Sequence, residues 1–340
     1  MFRPLIKLLL PALLGLCAMP ALAQRPLAPK VLVITMFAPE AAPWREAERF
    51  DTQVPVPGLS PKYPTVDCTR AGLCLMTTDM GLANAASSVA AALVASPRFD
   101  LRRTYFLIAG IGGVAPEQGT LGSAHWARYA IDGGLMRAVD PRQQPAGWSS
   151  NLLMLGATAP GQKVEHRTGT EVFQLDEALL QKAYALSAGV PLEDSDAAAA
   201  YRLQYPQPAA RAAPAVSICD SLTSDTYWHG SLIATAMEAY VQLTTDGRGH
   251  YCITQMEDNA TLTALQRGAE AGRLQFARVA LLRTASNFDR EAPGQDVGAS
   301  LSAKSGGFLP STHNAYRVGH ALTEAILAHW EAWSHGVPKE

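Results

Sequence analysis

Three stretches of the 340-residue chain are apolar at successive positions rather than at alternate ones. Lys30-Val31-Leu32-Val33-Ile34-Thr35-Met36 is rich in β-branched residues, the pattern of a strand covered on both faces. Tyr105-Phe106-Leu107-Ile108-Ala109 is a second such strand, interrupted at Gly110, and Arg278-Val279-Ala280-Leu281-Leu282-Arg283 is a third. Between them the apolar positions recur with helical spacing over Ala83 to Ala95, Ser231 to Leu243, Asn259 to Gly272 and His313 to Trp333. Buried strands alternating with helices predict an α/β fold, a three-layer sandwich with helices on both faces of a mostly parallel or mixed central sheet. Tyr63 to Leu75, with Cys68 and Cys74, reads as a hairpin on the rim. Glu193 to Pro214 combines Asp-Ser-Asp, an alanine run and three prolines, and reads as a partly irregular surface insertion near 193–214.

The first residues follow a different logic. Arg3 and Lys7 precede a short leucine-rich run, and Ala21-Leu22-Ala23 offers the small residues of a cleavage site before Gln24. Residues 1–23 are therefore expected to be a secretory signal and 24–340 a single domain in the periplasm or outside the cell. Cys17 follows Leu16, a poor match to the small residue that lipoprotein processing requires. The mature part then keeps Cys68, Cys74, Cys219 and Cys252, an even number that favours disulfides in an exported chain. Cys68 with Cys74 closes a small loop and leaves Cys219 for Cys252, although four cysteines allow three connectivities. A formal net charge of −2 gives no basic footprint for nucleic acid. No later stretch supplies the roughly 20 uninterrupted apolar residues of a membrane span. No metal-ligand spacing or cofactor motif is present, and the sequence leaves a homo-oligomer open.

Sheets of this kind bind ligands beyond the carboxyl ends of their strands, and here those ends carry unusual residues. Glu40 follows the first strand at the start of a predicted helix, where it either serves the helix N-terminus or acts as a general base on water. Gly110, Gly112 and Gly113 follow the second strand and allow either a tight turn or close backbone approach to a ligand. Met256 and Glu257 precede a helix; a carboxylate there can accept two vicinal ribose hydroxyls, or the segment can simply cap the helix. Asn287, Phe288 and Asp289 follow the third strand and can hold or stack on a heterocycle, or make a turn. Asp225, Trp228 and His229 lie in one aromatic loop, which reads as a binding wall or as a buried cluster under the loop. A Gly-x-Ser-x-Gly elbow is absent, which argues against a serine hydrolase.

Taken together, Phe37 to Glu40, Ala109 to Gly122, Asp225 to Gly230 and Arg283 to Asp289 resemble the purine nucleoside permease family over nearly the whole mature chain. More distantly, Thr78 to Ala86 (TDMGLANAA), Ile111 to Val114 and Met256-Glu257 are similar to segments of the nucleoside phosphorylase and methylthioadenosine nucleosidase superfamily. The resemblance implies a purine nucleoside ligand, with Glu257 on the ribose hydroxyls, Met256 against the sugar and Glu40 activating water. It implies either cleavage of the N-glycosidic bond or, as the permease name suggests, binding that assists uptake. Two departures stand out. Gly110 occupies a position where the superfamily often has serine, which weakens a phosphate site and favours hydrolysis. Asn287 stands where the superfamily often has aspartate, which leaves the acid for the leaving base open, with Asp289 as the candidate substitute.

Overall fold

The computed structural model describes residues 26–95, 98–165 and 167–339; the expected signal and Cys17 lie outside them. In chain order the strands are β1 (Val31–Thr35), β2 (Thr52–Pro55), β3 (Thr65–Cys68), β4 (Leu73–Thr77), β5 (Tyr105–Val114), β6 (Ala124–Trp126) and β7 (Tyr129–Asp132). They continue with β8 (Met136–Ala138), β9 (Leu152–Met154), β10 (Val172–Gln174), β11 (Val216–Ile218), β12 (Asp220–Thr223), β13 (Tyr251–Gln255) and β14 (Val279–Phe288). The helices are α1 (Ala38–Ala47), α2 (Leu82–Val89), α3 (Glu177–Ser187), α4 (Asp196–Arg202), α5 (Pro208–Arg211), α6 (Ser231–Thr244), α7 (Asp258–Glu270), α8 (Val297–Leu301), α9 (Phe308–Ala328) and α10 (Trp330–Ser334).

One large mixed sheet runs β10-β7-β12-β13-β5-β1-β4-β3-β2, with β14 also against β5 and β6 joining β14 to β11. Alternation along β1 shows why its sequence is apolar throughout. Val31 and Val33 enter a core with Trp44 of α1 and Val318 and Leu322 of α9. Leu32 and Ile34 enter the opposite core with Val89 of α2 and Leu262 and Leu265 of α7. The sheet therefore has helices on both faces, the three-layer arrangement expected from the pattern.

The second and third strands are longer than their apolar runs. β5 continues through its glycines to Val114, and β14 continues to Phe288, paired in parallel from Val279↔Phe106 to Phe288↔Val114. A glycine stops an apolar run without stopping a strand when a neighbour needs the space its side chain would fill. At Gly112 a Cβ would lie 2.6 Å from the Thr254 carbonyl of β13.

β5 exchanges one of its partners part-way along its length. Its first half pairs in parallel with β1 as far as Ile34↔Ile108. Its last residues pair antiparallel with β13, at Thr254↔Gly113 and Ile253↔Val114. Between these points the sheet forks, and Ala109 to Gly112 have no strand on that edge.

The predicted helices appear with small shifts. Ser231–Leu243 and Asn259–Gly272 correspond to α6 and α7, while Ala83–Ala95 begins as α2 and passes into a π-helical turn over Ala90–Ala95. α9 starts at Phe308, before the predicted His313, because Pro310 sits in the first turn, where no N–H is required. Cys68 and Cys74 are register partners on β3 and β4 and form a disulfide, and Cys219 is bonded to Cys252. The first bridge is buried, with Cys68 2% and Cys74 0% exposed, so the predicted hairpin is part of the packed sheet and not a rim feature.

The 193–214 segment lies largely at the surface, as its sequence suggests, and its ordered parts have a specific seat. It forms α4 and α5, and Ala198, Tyr205 and Ala210 are buried with Val114, Leu121, Ala285 and Phe288. Short alanine side chains let these helices lie close to the end of β14. Tyr205 stacks on Phe288 at 4.0 Å between ring centroids, and its hydroxyl donates to the Arg290 carbonyl at 2.8 Å. Tyr205→Ala should therefore lower stability by about 3–5 kcal/mol, the usual cost of an excised buried ring. Urea denaturation checks this, and a loss below about 1 kcal/mol would return the segment to a surface role.

Candidate functional site

The fork in the sheet is closed by a side chain. Glu40 lies one turn into α1, just after β1, and its carboxylate spans the two diverging strands. Oε2 accepts the Met36 N–H at 2.7 Å and Oε1 accepts the Ile111 N–H at 2.8 Å. A Cβ on Gly110 would come within 2.6 Å of both Glu40 and Arg283, so this glycine makes room for a charge cluster.

Arg283 is the centre of that cluster and is 1% exposed. It projects from β14, and a buried guanidinium is tolerated only with partners. Its Nη2 reaches Asp258 Oδ1 at 2.6 Å and Glu257 Oε2 at 3.3 Å, its Nη1 donates to the Ile111 carbonyl at 3.0 Å, and Glu40 Oε1 is 4.0 Å away. Burial works against the charge of Arg283, but the Asp258, Glu257 and Glu40 carboxylates together hold it firmly protonated.

One cation facing three carboxylates leaves an excess of negative charge. Burial raises the Glu40 pKa to about 7; Arg283 opposes the rise, Glu257 adds to it, and the two backbone N–H groups oppose it. Burial likewise raises Glu257, against the pull of Arg283 and the Gly81 N–H. Glu257 Oε1 accepts that Gly81 N–H at 3.1 Å. With one partner on each of its oxygens, Glu257 keeps lone pairs for further donors.

A cavity of about 190 Å³ opens over this cluster. Glu40, Gly112, Gly113, Trp228, Met256, Glu257 and Asn287 from the sequence reading all line it. Met36, Phe37, Met80, Tyr227, Arg283 and Ser286 complete much of the wall. Residues 247 positions apart in sequence, from Glu40 to Asn287, thus share one chamber.

Five candidates fall elsewhere. Gly110 lies beneath the wall, against Met36, Glu40 and Arg283. Asp225 accepts the Leu82 N–H at 2.9 Å, holding the start of α2 in place. His229 bonds Ser300 of α8 through Nε2 at 2.9 Å and lines a neighbouring cavity of about 550 Å³, as does Phe288. Asp289 is 1% exposed and does not line the small cavity. It accepts the Tyr251 hydroxyl at 2.7 Å and forms an ion pair with Arg290 at 2.7 Å, so its carboxylate is used in the protein interior. Asn287, on β14, lines the chamber, whereas Asp289, just past the end of the strand, does not.

Sequence reasoning missed the role of Arg283, Asp258, Tyr227 and Gly81. Arg283 carried a signal, being a cation within an apolar strand, whereas the Gly81–Glu257 contact spans 176 positions and leaves no local trace.

These features define a class before a family. The fold is that of the nucleoside phosphorylase-like enzymes. It aligns with a 5′-methylthioadenosine/S-adenosylhomocysteine nucleosidase of Neisseria meningitidis at TM-score 0.53 and 14% identity, covering 88% of this chain and 99% of that one. It aligns equally with a futalosine hydrolase of Helicobacter pylori at TM-score 0.54 and 10% identity, covering 87% and 98%. The chain belongs to the purine nucleoside permease family, whose model matches residues 28–338. A probable purine nucleoside permease of Schizosaccharomyces pombe is 37% identical over 325 residues, 90% of this chain and 91% of its own length. A purine nucleoside permease of Candida albicans is 36% identical over 309 residues, 89% and 76% respectively. Among the described residues no helix is long and apolar enough to cross a membrane.

The clasp and the charge cluster predict distinct stability effects. Glu40→Gln replaces one acceptor with a donor facing a backbone N–H, so the fold should lose about 1–3 kcal/mol in denaturant titration at neutral pH. Arg283→Met leaves buried carboxylates without a counter-charge and should cost about 3–5 kcal/mol. The raised Glu40 pKa means that its proton favours the folded state. That contribution is complete below pH 4.5 and is lost as pH rises through about 7. Thermal melts of wild type and Glu40→Gln across pH 4 to 8 should diverge in that sense; parallel curves would detach Glu40 from the pH dependence.

Proposed function

We propose that this protein binds purine nucleosides in the small cavity and hydrolyses their N-glycosidic bond, acting outside the cytoplasm. The observation that carries the reading is the placement of Glu257, Met256 and Glu40 around one chamber above a buried, negatively charged cluster. Glu257 accepts the two ribose hydroxyls with its free lone pairs, and Met256 packs on the sugar. The base lies between the backbone of Gly112–Gly113 and the Tyr227–Trp228 loop, with Asn287 at its edge. Bond cleavage develops positive charge on the sugar, as in glycoside hydrolysis, and excess carboxylate charge stabilises it. Glu40, near the pKa suited to a base at neutral pH, retains lone pairs to take a proton from an attacking water.

Water is favoured over phosphate because the one cation in the wall, Arg283, is already paired with carboxylates. The names of the permease relatives and of the nucleosidase neighbours agree on a nucleoside ligand. Two disulfides fit an oxidising compartment. A second reading, binding for uptake without cleavage, draws on one observation: among the described residues, no carboxylic acid lines the chamber beside Asn287.

Purified mature protein incubated with inosine, adenosine and guanosine, with and without phosphate, separates the readings. Free base without phosphate is expected. Phosphate-dependent release would establish phosphorolysis, and calorimetric binding without release would establish a receptor. Glu257→Gln should weaken nucleoside binding by roughly 1.5–3 kcal/mol, since bonds to a charged acceptor are lost. Without an acid at the base end, turnover should depend on the leaving group: 7-methylguanosine, whose base departs without being protonated, should be cleaved at least about 10²-fold faster than guanosine. Equal rates would mean that an acid reaches the base after all.

A further inference from the structure

Resting on the nucleoside reading above, we infer that the preferred ligands are purine nucleosides carrying an apolar or aromatic substituent on the base. The small chamber is not closed at its base end. Tyr227, Ser286 and Asn287 line both it and the adjoining cavity of about 550 Å³. Glu40, Met256, Glu257 and Arg283, which define the sugar end, line only the small one. A group entering the larger space therefore leaves from the base, on the side of Asn287, and not from the sugar.

The wall of the larger cavity sets the chemistry of that group. Its serines are already bonded within the protein. Ser195 Oγ donates to the Gly306 carbonyl at 3.0 Å, Ser305 Oγ to the Ser286 carbonyl at 2.9 Å, and Ser300 Oγ pairs with His229 Nε2 at 2.9 Å. The rest of the lining is largely apolar, with Tyr201, Phe288, Leu301, Phe308, Leu309 and Pro310, and the exposed Lys304 adds one cationic side chain to it. Several are unusually open to water, with Leu301 52%, Phe308 43% and Leu309 63% exposed. Tyr227, at the junction, is 56% exposed. Exposed apolar side chains concentrated in one concave wall gain from covering by an apolar group. The wall is also held in place without a ligand. The His229–Ser300 bond ties α8 to the base-binding loop, and α4 and α5 are packed beneath it on Phe288.

Calorimetry with the purified mature protein decides the matter using three ligands: adenosine, adenosine with a benzyl group on the exocyclic 6-amino nitrogen, and 5′-benzylthio-5′-deoxyadenosine. The base-substituted compound should bind about tenfold tighter than adenosine or better, the gain expected when a phenyl ring leaves water for an apolar wall. Leu301→Asp should reduce that ratio to below about threefold by placing a charge against the ring. Equal or weaker binding of the base-substituted compound, with adenosine itself bound, would overturn the inference and leave the nucleoside reading standing. A gain confined to the 5′-substituted compound would overturn it too, by assigning the larger cavity to the sugar side. No binding of any of the three would remove the nucleoside reading and this inference with it.

Discussion

The structure depends on how a sheet that changes partners is held together. β5 loses β1 after Ile108 and gains β13 only at Gly113, so its edge between them exposes backbone groups inside the protein. A buried N–H without an acceptor carries a cost comparable to a lost hydrogen bond. The Glu40 carboxylate accepts one such N–H, that of Ile111, together with the Met36 N–H just past the end of β1, and so acts as a substitute for the missing strand. The opening that results is the candidate chamber, and the carboxylate that makes it tolerable is in its wall. Fold and candidate site are in this sense one solution to one constraint.

The same solution creates an electrostatic difficulty. A carboxylate at the fork needs a counter-ion, which Arg283 provides from β14, but Glu257 and Asp258 converge on the same guanidinium. Replacing such a cluster with apolar side chains is often neutral or favourable to stability. Its presence beside a cavity is better accounted for by what the charge does to a ligand. On the proposed reaction, carboxylates held at a buried site have a stronger effect on a developing cation than the same groups would have in water.

Legibility in the sequence followed the range of the interactions concerned. The apolar runs of β1, β5 and β14 identify the layered fold because each side chain is buried on its own account. The strand ends after Gly110 and Arg283 were hidden because the residues there serve partners distant in sequence: Gly110 gives way to Glu40 and Arg283, and Gly112 to β13. The 193–214 segment looked irregular because prolines and alanines say little about what they pack on, yet Tyr205 lies against Phe288. Of the candidate residues, Glu40, Met256 and Glu257 were visible because a carboxylate following a buried strand is unusual locally. The charge deficit they share with Arg283 arises only when four segments meet.

Asp289 shows why residue type and proximity are not enough to assign an acid. It is two positions from Asn287, and were β14 to continue both would face the same side. The strand ends at Phe288, so that alternation no longer governs Asp289. Tyr251 and Arg290 then hold Asp289 in the interior, while Asn287 donates to the Phe288 carbonyl at 2.9 Å and accepts from Ser286 at 2.8 Å. The two ends of the chamber consequently differ in kind. The sugar end is charged and tightly constrained by hydrogen bonds, whereas the base end is neutral, partly aromatic and open to a larger space. Discrimination among ligands at such a neutral end comes from shape and apolar contact, because an amide accommodates several heterocycle edges equally well. In the proposed complex, affinity for the nucleoside and selectivity for its base thus fall to different walls of one chamber, and a substitution in either wall can change one without the other.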